Sequence, residues 1–332
     1  MRAVPRAHKE SIGMIRYLTE DDIKQLLTMD TALEWTGRAL HDRALGRAID
    51  IPRVRTHIPQ GIQHVLQAAA PELGWIGFKY YYTRPTGKTF YVHLIDVESG
   101  RLAAIIEAVW MSMVRTGAAS GVATRHLANE DASVVGQIGT GFQGIGQLEA
   151  VCAVRKVSRA RVYSRNREKL EAFCRRMSDK LGIPVEPAES AQAAVRGSHI
   201  VNVITKSATP VLEGAWLEPG QHINAAGSNA LNRAEIDVAA VERCSLVTVD
   251  SRGTARAECG DLYPLVQRGR LDWDRLTEIG DVMAGKTPGR AGRDGITLYE
   301  SHGMGVQDLY VGAKMLELAR TRNVGVDLPI GG

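Results

Sequence analysis

The hydrophobic pattern changes character along the chain. In the first part, "WIGFKYYYTRP" and "TFYVHLIDVESGRLAAIIEA" are Tyr-, Ile- and Val-rich runs broken by turn signals at "PTGK" and "ESGR", the pattern of antiparallel hairpins. "MSMVRTGAASGVATRHLA" then reads as a long helix. Its small residues, Gly117, Ala118, Ala119, Gly121 and Ala123, make it thin enough to pack closely against another backbone. From Ser133 onward short apolar runs alternate with helical stretches: "SVVGQI", a glycine loop and a helix to about Lys156, "ARVYS", a helix from about Arg167 to Leu181, then "HIVNVIT", "HINAAG" and "SLVTVD". Strands alternating with helices predict a parallel sheet covered on both faces. After about Ser301, Val306, Leu309, Tyr310, Ala313 and Leu316 recur at helical spacing, and this last helix is expected to return to the first part. The fold class expected is α/β: a Rossmann-type, doubly wound parallel sheet over residues 131–300, inserted in an α+β domain made of residues 1–130 plus 301–332.

Length supports this division, because 332 residues exceed one ordinary core and suit two. Hydrophobic content of 44% and charged content of 23% lie near the globular average, so neither disorder nor a fibrous architecture is favoured. The net charge of +4 comes from 41 basic and 37 acidic residues that are interspersed, which argues against a nucleic-acid role. No apolar run approaches a bilayer span, and residues 1–13 lack the apolar core of a secretory signal, so a cytoplasmic, non-membrane protein is expected. Cys152, Cys174, Cys244 and Cys259 are widely separated, with no CxxC pair and no histidine at ligand spacing. Free thiols and no structural metal are expected.

"VVGQIGTGFQGIGQLEAV" places Gly139, Gly141 and Gly144 as GxGxxG between an apolar strand and a helix. Gly139 permits the tight turn, Gly141 lets backbone approach a pyrophosphate, and Gly144 lets the helix pack closely, with the helix N-terminus attracting the anion. Phe142 and Gln143 complete the loop, and Thr205 and Ser207, at the end of "HIVNVIT", are further candidate cofactor contacts. The next strand ends in "YSRNREK". Ser164, Arg165 and Asn166 stand where an NAD-binding protein carries an acid, and the first acid, Glu168, is already on the following helix. An arginine there accommodates a 2′-phosphate, which favours NADP(H), with NAD(H) the alternative.

Taken together, "GFKYYY", "MVRTGAASGVATRHLA", "GTGFQG", "LEPGQHINAAGS", "VTVDSRGTARAECGDL", "GDVMAGKTPGR" and "ESHGMGVQDL" resemble the ornithine cyclodeaminase and mu-crystallin family over nearly the whole chain. The resemblance implies a homodimer formed through the first domain, and hydride exchange at the Cα of a small amino or imino acid. It implies that Lys79 is the active-site lysine and that Arg115 holds the substrate carboxylate. A further arginine in "PRVRTH" matches in two registers, Arg53 and Arg55, both on one face of a strand. Planar guanidinium groups suit a carboxylate, and Phe78, Tyr80 and Tyr82 supply apolar surroundings for a buried Lys79.

Two departures bear on the branch. Cyclodeaminases and alanine dehydrogenases of this kind carry an Asp where "GSNALNRAE" places Asn229, and an amide is no general base. In "GIQHVLQ", His64 or Gln67 takes the place of an acid that contacts the distal amine of the cyclodeaminase substrate. Both point away from ornithine cyclisation and towards NADPH-dependent reduction of the C=N bond of an imino or cyclic ketimino acid, with His302 in "ESHGMG" a candidate proton donor. An amino-acid dehydrogenase or a cyclodeaminase is the enzymatic alternative, and an NADPH- and small-ligand-binding protein like mu-crystallin is the alternative from another class.

Overall fold

The computed structural model describes residues 14–329, so the segment 1–13, read above for a secretory signal, lies outside the described residues. Two sheets organise the chain. The first has seven strands, in the order 326–329, 14–18, 102–107, 87–96, 75–84, 61–70 and 49–58. Five of these form an antiparallel meander, Ile49–Ile58 through Leu102–Glu107, to which Met14–Leu18 adds in parallel. The turn at "PTGK" closes the hairpin Trp75–Arg84/Gly87–Asp96 through Pro85 and Thr86.

Strand alternation sorts this meander into two faces. In Trp75–Arg84, Gly77, Lys79 and Tyr81 are buried, while Ile76, Phe78, Tyr80 and Tyr82 face the other way. The expectation that Phe78, Tyr80 and Tyr82 surround Lys79 is thereby corrected, since neighbours in a strand point to opposite faces. What covers Lys79 is the helix Gly305–Arg322, which packs on the inner face. Gly305 allows its close seating: a Cβ there would stand 2.9 Å from the Gln67 carbonyl oxygen.

The second sheet has eight strands, all parallel, in the order 277–278, 244–249, 296–300, 222–225, 200–203, 134–138, 159–163 and 185–187. The chain moves outward from Val134–Ile138 to one edge, then returns and builds the other half from Ile200–Val203. That reversal is the switch point at which open α/β sheets bind ligands, beyond the carboxyl ends of their strands. Helix Arg167–Leu181 has the bounds read from sequence, with Asn166 capping its start by accepting from the Lys169 N–H at 2.8 Å. The strand Ile296–Glu300, inserted between Cys244–Val249 and His222–Ala225, was not anticipated.

The two sheets are joined through the helix Val109–Leu127. Its small residues meet another backbone, that of the helix Phe142–Val154: a Cβ on Gly117 would lie 2.1 Å from the Gly146 carbonyl oxygen, and one on Gly146 2.6 Å from that of Met113. Among the described residues no helix is long and apolar enough to cross a membrane.

Candidate active site

The glycine loop forms a cradle at the switch point. Gly139 has φ 115°, and a Cβ there would strike the Ile204 carbonyl oxygen at 2.1 Å, so the turn requires glycine and is pressed against the end of Ile200–Val203. Its N–H donates to the Tyr163 carbonyl at 2.9 Å. The ends of three adjacent strands, with Thr205 on one side and Ser164 on the other, therefore meet here. Gly141 is the N-cap of Phe142–Val154 and no side chain caps that helix, so its first N–H groups are left for an anion. A Cβ on Gly141 would find open space. This open helix end, backed by a closed turn, fits a dinucleotide pyrophosphate.

The other expected contacts are placed around it. Phe142 is exposed and tilts against Trp110, Gln143 is half-buried, and Gly144 packs over the Gly139 carbonyl. Arg165 is exposed and, among the described residues, no ion pair holds it. Thr205 Oγ1 and N both donate to Glu235 at 2.6 Å, and the Ser207 N–H donates to Thr205 Oγ1 at 3.1 Å. Asn166 spends its side-chain oxygen on the helix cap.

A second cluster lies between the two sheets. Lys79 Nζ is 2.7 Å from Asp308 Oδ2, Arg115 Nε donates to Asp308 Oδ1 at 2.9 Å, and Arg115 Nη1 donates to Gln307 Oε1 at 3.0 Å. All four residues are buried. One carboxylate against two cations leaves a net positive charge in a poorly solvated place, the setting that attracts an anion. Burial first, and Arg115 second, lower the Lys79 ammonium to about 7, against the pull of Asp308.

Arg53 and Arg55 project together from the edge strand Ile49–Ile58, where the pairing register shifts between Ile51 and Val54. Pro52, which has no N–H for the ladder, sits in this irregularity. The two arginines share Glu258: Arg55 Nη2 is 2.9 Å from its Oε1 and Arg53 Nη1 is 3.2 Å from its Oε2. They differ otherwise. Arg53 is buried, donates from Nη2 to the His302 carbonyl at 2.8 Å, and keeps Nε without a hydrogen-bond partner. Arg55 is half-buried and donates to the Asn229 carbonyl at 2.8 Å. Asn229 thus meets the cluster through its backbone.

His64 and Gln67 separate by face. His64 is buried on the inner face and stacks on Tyr81, ring centroids 4.1 Å apart, whereas Gln67 is exposed on the outer face. Burial and the charges of Arg53 and Arg55 push the His64 imidazole down to about 3, so it is neutral. His302 contributes its backbone to the cluster. Its N–H and that of Gly303 donate to Asp250 Oδ2 at 2.8 Å, its carbonyl receives Arg53, and its fully buried ring turns towards Cys259 and Glu300.

A family model described as the ornithine cyclodeaminase/mu-crystallin family matches residues 15–322. The chain belongs to that family. It is 32% identical over 320 residues to a Delta(1)-pyrroline-2-carboxylate reductase of Bacillus cereus (strain ZK / E33L), covering 93% of this chain and 98% of that protein. Among solved structures it is similar to the Thermococcus litoralis Delta(1)-pyrroline-2-carboxylate reductase in complex with NADH and L-proline, with a TM-score of 0.91, 30% identity, and 95% and 100% of the two chains covered. An archaeal alanine dehydrogenase dimer with bound NAD gives a TM-score of 0.89 at 28% identity, covering 95% and 99%.

Several members of the cluster escaped the sequence reading. Asp308 and Gln307 interrupt an apolar helix start with polar groups on its buried side, a signal visible in "GVQDL". Glu258 and Asp250 carry no periodic signal, because the chain brings them to the site from loops and a short helix. Gln137, Asn202, Asn224 and His222 link three neighbouring strands by buried hydrogen bonds, and Gln137 also donates to the carbonyls of Gly139 and Gly144. This ladder holds the glycine loop from beneath.

Proposed function

We propose that this chain is a nicotinamide-dinucleotide-dependent reductase of imino or cyclic ketimino acids. The observation that carries the reading is the buried, net-cationic group of Lys79, Arg115 and Asp308 beside Arg53, which reaches the His302 carbonyl just past the carboxyl end of a strand in the same parallel sheet that forms the glycine cradle. A bound nicotinamide would supply the hydride to the imine carbon. Arg115 and Arg53 hold the carboxylate, fixing the carbon that receives hydride. Lys79, titrating near neutrality, supplies the proton that the imine nitrogen takes up. The C=N bond becomes CH–NH, with one hydride and one proton consumed.

Two groups favour reduction over cyclodeamination. A neutral His64 on the inner face offers no charge to a distal ammonium, and Asn229 offers no proton acceptor where cyclodeaminases carry an acid. Reduction needs neither. We assign the finer cofactor preference, NADP(H), to Arg165, which is unpaired among the described residues and lies just past the strand Arg159–Tyr163, although the related structures hold NADH and NAD. We also assign a homodimer to the outer face of the first sheet. Ile49, Ile51, Val54 and Ile76 are exposed there beside an apolar recess of about 530 Å³, and one related structure is a dimer.

The deciding experiment follows NADPH and NADH oxidation with preformed cyclic ketimino acids, with pyruvate plus ammonia, and with no acceptor. Steady turnover of the cyclic imines is expected. Turnover only with pyruvate and ammonia would make the chain an amino-acid dehydrogenase, and saturable binding without turnover would make it a binding protein.

A further inference from the structure

Beneath the arginine pair, Cys259, at the end of the helix Arg252–Glu258, meets Glu300 and His302, which sit two residues apart on a second stretch of chain. One ligand atom from each lies within 4.8 Å of the others, and all three residues are buried. Both ring nitrogens of His302 and Oε1 of Glu300 lack a hydrogen-bond partner, although the His302 side chain is fully enclosed. Orphaned buried polar atoms of this kind are costly unless something satisfies them. Three further buried carboxylates, Asp261, Glu235 and Asp250, act on Glu300. Among the described residues no Lys or Arg forms an ion pair with any of these four acids, and Asp250 pairs with the His302 ring instead.

We propose that Cys259, Glu300 and His302 form a binding site for a zinc-like divalent cation. Three points no more than 4.8 Å apart have a centre within ~2.8 Å of each. Zinc takes thiolate at about 2.3 Å and imidazole or carboxylate at about 2.0–2.2 Å, so each side chain closes by ~0.5–0.8 Å to bind. One thiolate, one imidazole and one carboxylate are the borderline-soft donor set that zinc and cobalt(II) accept. His302 is also oriented for it. Its Nδ1 faces Asp250 Oδ1 at 3.6 Å, which leaves Nε2 for the cation in the carboxylate–imidazole–metal arrangement that fixes ligating histidines.

The position gives the cation a role. Residues 301–304 run from the strand Ile296–Glu300 to the helix that carries Gln307 and Asp308, and the His302 carbonyl holds Arg53. A cation on Glu300 and His302 ties the start of this connection to Cys259, and so positions Arg53 and the Asp308 carboxylate without touching substrate.

The test is metal content and spectroscopy, which do not depend on the reaction catalysed. Full-length protein is produced in zinc- or cobalt-supplemented medium, so that the enclosed site fills during folding. Elemental analysis should find one cation per chain after exhaustive dialysis, and the cobalt form should show a near-ultraviolet thiolate charge-transfer band with tetrahedral visible absorption. Cys259→Ser should remove the charge-transfer band, and Cys259→Ala and His302→Phe should bring bound cation to background with the far-ultraviolet circular dichroism preserved. Wild-type protein that folds in supplemented medium and retains no stoichiometric cation overturns the proposal without any variant. So does a charge-transfer band that persists in Cys259→Ser.

Discussion

Lys79 Nζ stands 2.7 Å from Asp308 Oδ2, yet the ammonium is held at about 7 because its burial and the neighbouring Arg115 outweigh that single carboxylate. A lysine partly protonated at neutral pH can give up a proton and recover it, which an exposed lysine near 10.5 does far less readily. The sign of the pH dependence follows. The cationic, proton-donating form prevails below about 7 and is lost above it, so kcat/KM for an imino acid should fall with a slope approaching one decade per pH unit on the alkaline side. Binding of a carboxylate adds negative charge, so the corresponding limb in kcat should lie at higher pH. A kcat/KM profile flat from about pH 6 to 9 would remove Lys79 from the proton path.

Arg53 and Arg55 are separable by experiment because only Arg53 combines burial, an unpartnered Nε and a contact with the His302 carbonyl. Loss of a charge-assisted hydrogen bond to a carboxylate costs about 1.5–3 kcal/mol, which corresponds to about ten- to 150-fold in affinity. Arg53→Ala should therefore raise KM for the imino acid by that order or more, and Arg55→Ala by several-fold at most. Removing Arg53 also leaves Glu258 short of a partner, so Arg53→Ala/Glu258→Gln serves as the control for indirect damage. Equal effects of the two single substitutions on KM would contradict the assignment.

The glycines divide by what a methyl group would meet. At Gly117 it would lie 2.1 Å from the Gly146 carbonyl oxygen, so Gly117→Ala forces two helices apart. The helix-propensity gain of about 1 kcal/mol is then outweighed by overpacking of about 1–3 kcal/mol or more, and the thermal midpoint should drop. At Gly141 the methyl meets nothing, so Gly141→Ala should keep the midpoint close to wild type while weakening dinucleotide binding, because it fills the space over the helix N-terminus. Calorimetry and cofactor titration on both variants check the pair. Unchanged affinity in Gly141→Ala would place the pyrophosphate elsewhere.

What the sequence reveals follows from how each feature is encoded. The parallel sheet was legible because strand, glycine loop and capped helix are local patterns, and helix Arg167–Leu181 with its Asn166 cap shows this most plainly. The small-residue face of Val109–Leu127 was legible because only a close neighbour makes such residues useful, the Gly146 backbone at Gly117 and the Leu33 and Ala150 side chains at Gly121. Lys79, Arg115 and the arginine pair came from motif resemblance, whereas of their partners only Asp308 leaves a mark in the pattern, as a polar break in an apolar helix start. Asp308 and Glu258 acquire meaning only when the last helix folds back and the helix Arg252–Glu258 meets the edge strand. Choosing between His64 and Gln67, three residues apart, needed the observed register, since a one-residue slip exchanges the faces of a strand.

Cofactor choice turns on Arg165, at the end of the strand beside the glycine loop. It is exposed and, among the described residues, unpaired, and the first acid after it, Glu168, lies in the opening turn of the next helix. A 2′-phosphate at this strand end would meet a guanidinium with no competing partner, whereas the 2′-hydroxyl of NAD would meet no carboxylate to accept from it. Arg167 is less available, being paired with Glu171 at 2.7 Å. Arg165→Asp should therefore weaken NADPH by roughly 30- to 150-fold, the equivalent of about 2–3 kcal/mol, while changing NADH little or improving it. Fluorescence titration of both reduced cofactors against wild type and variant measures the shift without any substrate. A wild type that prefers NADH, or a preference that Arg165→Asp leaves in place, assigns the adenosine end to other residues.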